Sequence, residues 1–187
     1  MSMLFDRFKR GETRRLRPVI PAVLAAVAVA FANPAAPRAQ EAVDAFQVQG
    51  WSGGAYFDPR THAFNRCAVS TSYGGVALGF ALNPKYELQI EIGSEDWRLK
   101  SGGDYVASLM IDNRDPLQII ASARSDKTLV AEFGADDDMM KELRDGQFLR
   151  VLAEHIGISF SLNGSSQALQ QLRSCVHAHR GTAPPPR

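Results

Sequence analysis

Two stretches of this chain alternate apolar and polar side chains without an error. Tyr86, Leu88, Ile90 and Ile92 are separated by Glu87, Gln89 and Glu91, and Ile156, Ile158, Phe160 and Leu162 by Gly157, Ser159, Ser161 and Asn163. Successive side chains of a strand point to opposite faces, so a period of two describes strands with one dry face and one wet face. Antiparallel sheets carry that pattern; parallel sheets, covered on both faces, read as continuous apolar runs.

Turn residues cut the rest of the body into further short strands. A first edge strand lies near Phe46 and Val48, and Trp51-Ser52-Gly53-Gly54-Ala55-Tyr56 follows with the glycines of a bulge or tight bend. Phe64–Tyr73 and Val76–Leu82 flank the Gly74-Gly75 turn, and Asn83-Pro84 stops the second. Trp97–Leu99, Tyr105–Ile111, Leu117–Ala123, Thr128–Phe133 and Phe148–Ala153 complete the set. Helical spacing enters only late. Asp136, Asp137 and Asp138 precede the stripe Met139, Met140 and Leu143, where carboxylates suit the free N–H groups and positive dipole end of a helix ending at Gly146. A second helix starts at a Ser165 or Ser166 cap and buries Ala168, Leu169, Leu172, Cys175 and Val176. The middle of the chain has no helices between strands, which a parallel sheet requires. The expected fold is mainly β, an antiparallel β-sandwich or partly open barrel with two short helices near the C-terminus.

The N-terminal segment bears on compartment. Arg7, Lys9, Arg10, Arg14, Arg15 and Arg17 precede an uncharged stretch from Pro18 to Ala32, and Ala30-Phe31-Ala32 supplies the small residues of a cleavage site. The order is that of a bacterial export signal, and the apolar stretch is shorter than the ~20 residues needed to span a bilayer. A cut after Ala39 is the alternative site, and an uncleaved leader held by its basic flank is the alternative fate. The expected organisation is a signal peptide over 1–32, a linker over 33–45, one β-rich domain over 46–180 and a disordered proline-rich tail over 181–187. Residues 1–32 hold six Lys/Arg against two Asp/Glu, and the whole chain is +1, so the remaining 155 residues carry about −3. A slightly acidic body with scattered basic residues offers no footprint for nucleic acid. Membrane contact is expected only through an unprocessed leader.

Cys67 and Cys175 are the only cysteines. In an oxidising compartment a lone pair suggests one disulfide; two separate buried thiols or an intermolecular bridge are the alternatives.

A resemblance adds to this reading. Met139-Met140-Lys141-Glu142-Leu143-Arg144-Asp145-Gly146, followed by Gly157-Ile158-Ser159-Phe160-Ser161-Leu162-Asn163-Gly164-Ser165-Ser166-Gln167-Ala168-Leu169, resembles the C-terminal half of the invasion-associated locus B proteins of alphaproteobacteria. The shared pattern is a short helix ending in a glycine turn, a strand, an alternating strand, a second glycine turn and an Ala/Leu helix. The extra cysteine pairs of that family are absent, and Ser165 stands where the family has an aromatic residue. The resemblance implies an envelope location and an all-β character, and it implies no catalytic residue.

Each cluster of chemistry-bearing residue types has a plainer explanation. Cys175, His177 and His179 have alternate spacing and would need His155 or His62 as a fourth metal ligand. They fall at a helix end, where residues two apart do not share a face, and the disulfide removes the thiolate. Asp136-Asp137-Asp138 lacks the glycine turn and distant Glu of a calcium loop. No Gly-x-Ser-x-Gly elbow or glycine-rich nucleotide loop occurs, and Gly102-Gly103 is a turn. Glu87 and Glu91, four strand positions apart, are separated by ~13 Å, too far for the paired carboxylates of a retaining glycosidase. Trp51, Tyr56, Tyr73 and Trp97 are amphipathic aromatics suited to a ligand or partner surface, with core or rim packing as the competing use.

The expectation is therefore a periplasmic or secreted, non-enzymatic envelope protein without a cofactor, binding an envelope protein or a small ligand. A structural component of an envelope complex and a hydrolase are the alternatives. Mass spectrometry of protein from its native host should find a mature N-terminus at Asn33 or Gln40. Intact Met1 in a soluble cytosolic fraction would refute export.

Overall fold

The computed structural model describes residues 42–153 and 156–181. The leader, most of the linker, His155 and the tail after Gly181 lie outside the described residues. Among the described residues the strands are β1 Val43–Val48, β2 Trp51–Phe57, β3 Phe64–Tyr73, β4 Val76–Leu82, β5 Leu88–Ser94, β6 Asp104–Ile111, β7 Leu117–Ala123, β8 Thr128–Gly134, β9 Phe148–Ala153 and β10 Ile156–Ser161. Helix α1, Asp137–Asp145, separates β8 from β9, and α2, Ser165–His179, follows β10.

All ten strands belong to one open sheet in the order β1-β2-β3-β4-β5-β8-β7-β6-β9-β10, and every pairing is antiparallel. The mainly β antiparallel expectation is met, with the two late helices in place. The chain meanders through β1–β5 and then jumps. The connection over residues 95–103 passes two sheet positions before β6, and β7 and β8 fill the gap on the way back.

Period-2 burial shows why the sheet curls. Leu88, Ile90, Ile92 and Ser94 of β5 are buried, while Gln89, Glu91 and Gly93 between them are half-buried. Register carries the buried row across the sheet: Ile90 pairs with Phe80 on β4 and Ala131 on β8, and Ala131 with Ala121 on β7. One face is thus apolar from β3 to β10 and must be buried. Its distant strands meet across the interior. Tyr73 of β3 donates its hydroxyl hydrogen to the Ser161 carbonyl of β10 at 3.0 Å, and its ring meets Phe160 edge-on.

Helix α2 fills the interior against β2, β3 and β4. It buries Ala168, Leu169, Leu172 and Val176, and Cys175 is bonded to Cys67 of β3, with Cα atoms 6.2 Å apart and 108 positions between them. The disulfide expected from the lone cysteine pair is present. In α1 Asp136 caps the helix by accepting the Met139 N–H at 2.9 Å, and Met139, Met140 and Leu143 are buried. The helix ends at Gly146, which is extended at φ −77° rather than left-handed; the small residue is needed because a Cβ there would lie 2.5 Å from Ile111 Cγ2.

Three local expectations change. Tyr86 is outside β5: its φ is +63°, and its N–H donates to Asn83 O in the turn after β4. Residues 97–99 form no strand, although they alternate in burial. Helix α2 takes no cap from Ser165 or Ser166. Gly164 precedes it at φ +79°, and the buried Ser165 hydroxyl donates instead to Leu143 O of α1 at 2.7 Å. The proximity of α1 redirected the hydroxyl.

Closing a loop this long in the unfolded chain is worth ~4.7 kcal/mol by chain entropy, and measured removals cost roughly 2–5 kcal/mol. A Cys67→Ala/Cys175→Ala variant is therefore expected to lose about 2–5 kcal/mol in urea denaturation, and the unaltered protein should show no free thiol under denaturing, non-reducing conditions.

Candidate functional site

Helix α2 covers only the β2–β4 part of the apolar face. The inner face of β5, β8, β7, β6, β9 and β10 encloses instead a cavity of about 720 Å³. Its cause is visible in the residues. Ala131 on β8, Ala121 on β7, Ala107 on β6 and Ala153 on β9 all line it, whereas the part of the same face that α2 covers carries Leu78, Phe80 and Leu82 on β4. Four neighbouring strands each bring a methyl group where a larger side chain would reach the centre. Ile90, Leu109, Val151 and Ile158 form the deeper wall.

The mouth lies at the end of the cavity where β5 stops and β6 begins. Here residues 95–103 cross as a strap. Leu99 N–H donates to Asp126 O and Gly102 N–H to Ala123 O, which ties the strap to the β7–β8 hairpin. Lys127 Nζ donates to Glu95 O, and Lys100 N–H to the Tyr105 hydroxyl at 2.9 Å. Trp97 and Leu99 are half-buried and line the cavity, whereas Asp96, Arg98 and Lys100 between and beyond them are exposed. The alternation suggested a strand; its physical use is a strap with an apolar underside. Asp96, Arg98, Asp104 and Tyr105 supply the lining's polar side chains, all at this end.

Size separates a chamber from a packing fault. At ~24 cal/mol per Å³ a closed dry void of this volume would cost on the order of 17 kcal/mol, more than a domain's whole stability. The space is a chamber open to exchange at its mouth. Its volume falls inside the ~300–1,000 Å³ range of small-molecule sites.

The four aromatic candidates from the sequence do not converge. Trp97 lines the chamber mouth. Trp51 is 1 % exposed, stacks on Phe80 at 5.0 Å and donates its indole N–H to Asn163 O at 2.9 Å, so it is a core residue. Tyr73 is committed to Ser161 and Phe160, and Tyr56 lies beneath the Arg66 guanidinium at 5.9 Å from its ring centre. Pattern reading missed the alanines, because an inward alanine looks like any other small core residue until the opposite wall is known.

The charged candidates are structural. Glu91 accepts from Arg66 and, at 2.9 Å, from Arg124, linking β3, β5 and the β7–β8 turn on the outer face. Glu87 accepts from the Asn83 amide at 2.5 Å inside its own turn. Such partly exposed pairs are worth about 0–1 kcal/mol each. Asp58 has its carboxyl held below the ordinary range by the Thr61 backbone N–H and then that of Arg60, which fastens the β2–β3 turn. Cys175 is oxidised, and His179 packs edge-on against the Phe57 ring and stacks on that of Phe64, with Nε2 3.2 Å from Asp44 Oδ2. His177 is exposed on the same helix. Among the described residues no group of three or more His, Cys, Asp or Glu side chains is placed to hold a metal.

No family model and no curated protein matches the chain. Among solved structures it is similar to the crystal structure of invasion associated protein B from Bartonella henselae, with 18 % identity, a TM-score of 0.49, and coverage of 70 % of this chain and 95 % of that one. The likeness is one of structure.

Filling the alanine-lined chamber is cheap. Ala121→Leu is expected to change stability by less than about 1.5 kcal/mol, whereas Ala168→Leu under α2 should cost roughly 1–3 kcal/mol. Urea denaturation of the two variants checks the contrast.

Proposed function

We propose that this is an exported, non-enzymatic binding protein of the bacterial envelope that holds an apolar small molecule in its inner chamber. The observation that carries the reading is the segregation of polarity. The deeper lining is hydrocarbon from Ile90, Leu109, Ala131, Val151 and Ile158, and the polar side chains stand at the mouth. Burying a polar group without a partner costs several kcal/mol, so such a wall favours apolar matter. Acid–base or nucleophilic catalysis calls for polar groups converging on one reacting atom, and the deep wall supplies none. Export is supported by the leader pattern alone.

A native-state titration with 1-anilinonaphthalene-8-sulfonate should show one saturable site. Bound ligand at a hundredfold excess over its Kd should add about 2.7 kcal/mol of stability, and Ala121→Phe should weaken binding at least tenfold. Dye uptake confined to the unfolding transition would refute the reading.

A second reading, a protein partner, rests on one feature of the outer face. Val106 and Ile120 pair directly across β6 and β7 and are 66 % and 67 % exposed, with Leu152 close by on β9. Exposed aliphatic clusters of this kind mark contact surfaces. An Ile120→Lys/Leu152→Lys variant, which leaves the chamber lining untouched, should keep dye binding and lose any partner crosslinked to the unaltered protein in its native host.

A further inference from the structure

Within the reading of the chamber as an apolar site, on which this rests, we infer that its ligand is a single-chain amphiphile: an aliphatic tail with one polar head, inserted tail first. The chamber is polar at one end only. Asp96, Arg98 and Asp104 are exposed at the mouth, and the Tyr105 hydroxyl already accepts the Lys100 N–H and keeps its own hydrogen to donate. Arg98 gives one nitrogen to two strap carbonyls, those of Glu95 and Trp97, and a guanidinium has five N–H groups to offer. Both signs of charge therefore stand where a head group would sit.

The deep end has the opposite character. A ligand group with a donor or acceptor at Leu109 or Ile158 would meet only hydrocarbon. A polar group at each end of the ligand is excluded, and one at the mouth end is served. The strand geometry also sets the length. From Tyr105 to Leu109 along β6 is four residues, ~13 Å, which matches an extended chain of about ten C–C bonds, each ~1.5 Å long and advancing the zigzag by ~1.3 Å. The underside of the strap, Trp97 and Leu99, covers the first part of such a tail.

The head could come from a free fatty acid or from a lysolipid; the tail chemistry is common to both. The test titrates the intact protein with alkanoates of six to sixteen carbons, with alkylphosphocholines of the same tails, and with perylene as a headless polycycle, all below micelle formation. Tryptophan emission reports binding, and Trp97→Phe assigns the signal, because Trp51 is sealed in the core. Affinity should rise about fourfold per methylene and level off at about ten carbons. Binding of alkanoates alone or of alkylphosphocholines alone supports the amphiphile and identifies its source. Perylene binding without either amphiphile would overturn the inference and leave the apolar-site reading standing. No binding of any probe would overturn both. Affinity that climbs through sixteen carbons without levelling would also overturn the inference, since it describes an unbounded surface. Ala121→Phe should weaken decanoate at least tenfold; should it fail to fold by circular dichroism, Ala107→Leu on the adjacent strand serves the same purpose.

Discussion

A ten-stranded sheet with one continuous apolar face has to bury that face, and most of this structure follows from how it does so. Helix α2 is fifteen residues, ~22 Å long, and it covers β2, β3 and β4. The disulfide from Cys67 to Cys175 holds it there from the middle of the covered region. Contacts of α2 with the sheet centre on those three strands, and the sheet turns back on itself until Tyr73 of β3 meets β10. The side chains on the uncovered part then face one another across the interior. Where they are large, as at Phe160 and Leu149, the interior is solid; where they are alanine, it is not.

The outer face obeys a different rule. Arg66, Glu91 and Arg124 interlock across β3, β5 and the β7–β8 turn, and Gln89 and Glu132 extend the polar row. Individually these contacts are weak. Their consequence is for register: a slip of one residue would send Glu91 inward and Ile90 into water. The charged row and the apolar row therefore enforce the same alignment from opposite sides.

Much of this was legible in the chain because it is local. Alternation at residues 88–92 and 156–162, the Asp136 cap, the Gly146 stop and the lone cysteine pair each depend on a few neighbouring residues. Sheet order does not. That β6 avoids β5 and leaves room for β7 and β8 depends on pairing energies between distant segments, which no window of sequence contains. The chamber was hidden for a related reason. Ala107, Ala121, Ala131 and Ala153 are correctly apolar in pattern, but volume becomes a deficit only against a specific opposite wall. Trp97 was noticed for its ring, and its use came from its place on the strap. Ser165 shows the reverse failure: a good capping residue by type, drawn away by a carbonyl twenty-two positions earlier.

The first hairpin and the last turn are fitted together closely. A Cβ on Gly164 would come within 2.7 Å of Gln49, and Trp51 hydrogen-bonds to Asn163, 112 positions away. Joining the earliest strands to the latest makes completion of the fold an event of high contact order. A chain leaving the ribosome N-terminus first can pair β1 to β5 as a meander, yet that meander keeps its apolar face bare until α2 is made. The contacts that complete the core are thus made by residues that leave the ribosome last, and the strands made first are held by a helix made at the end.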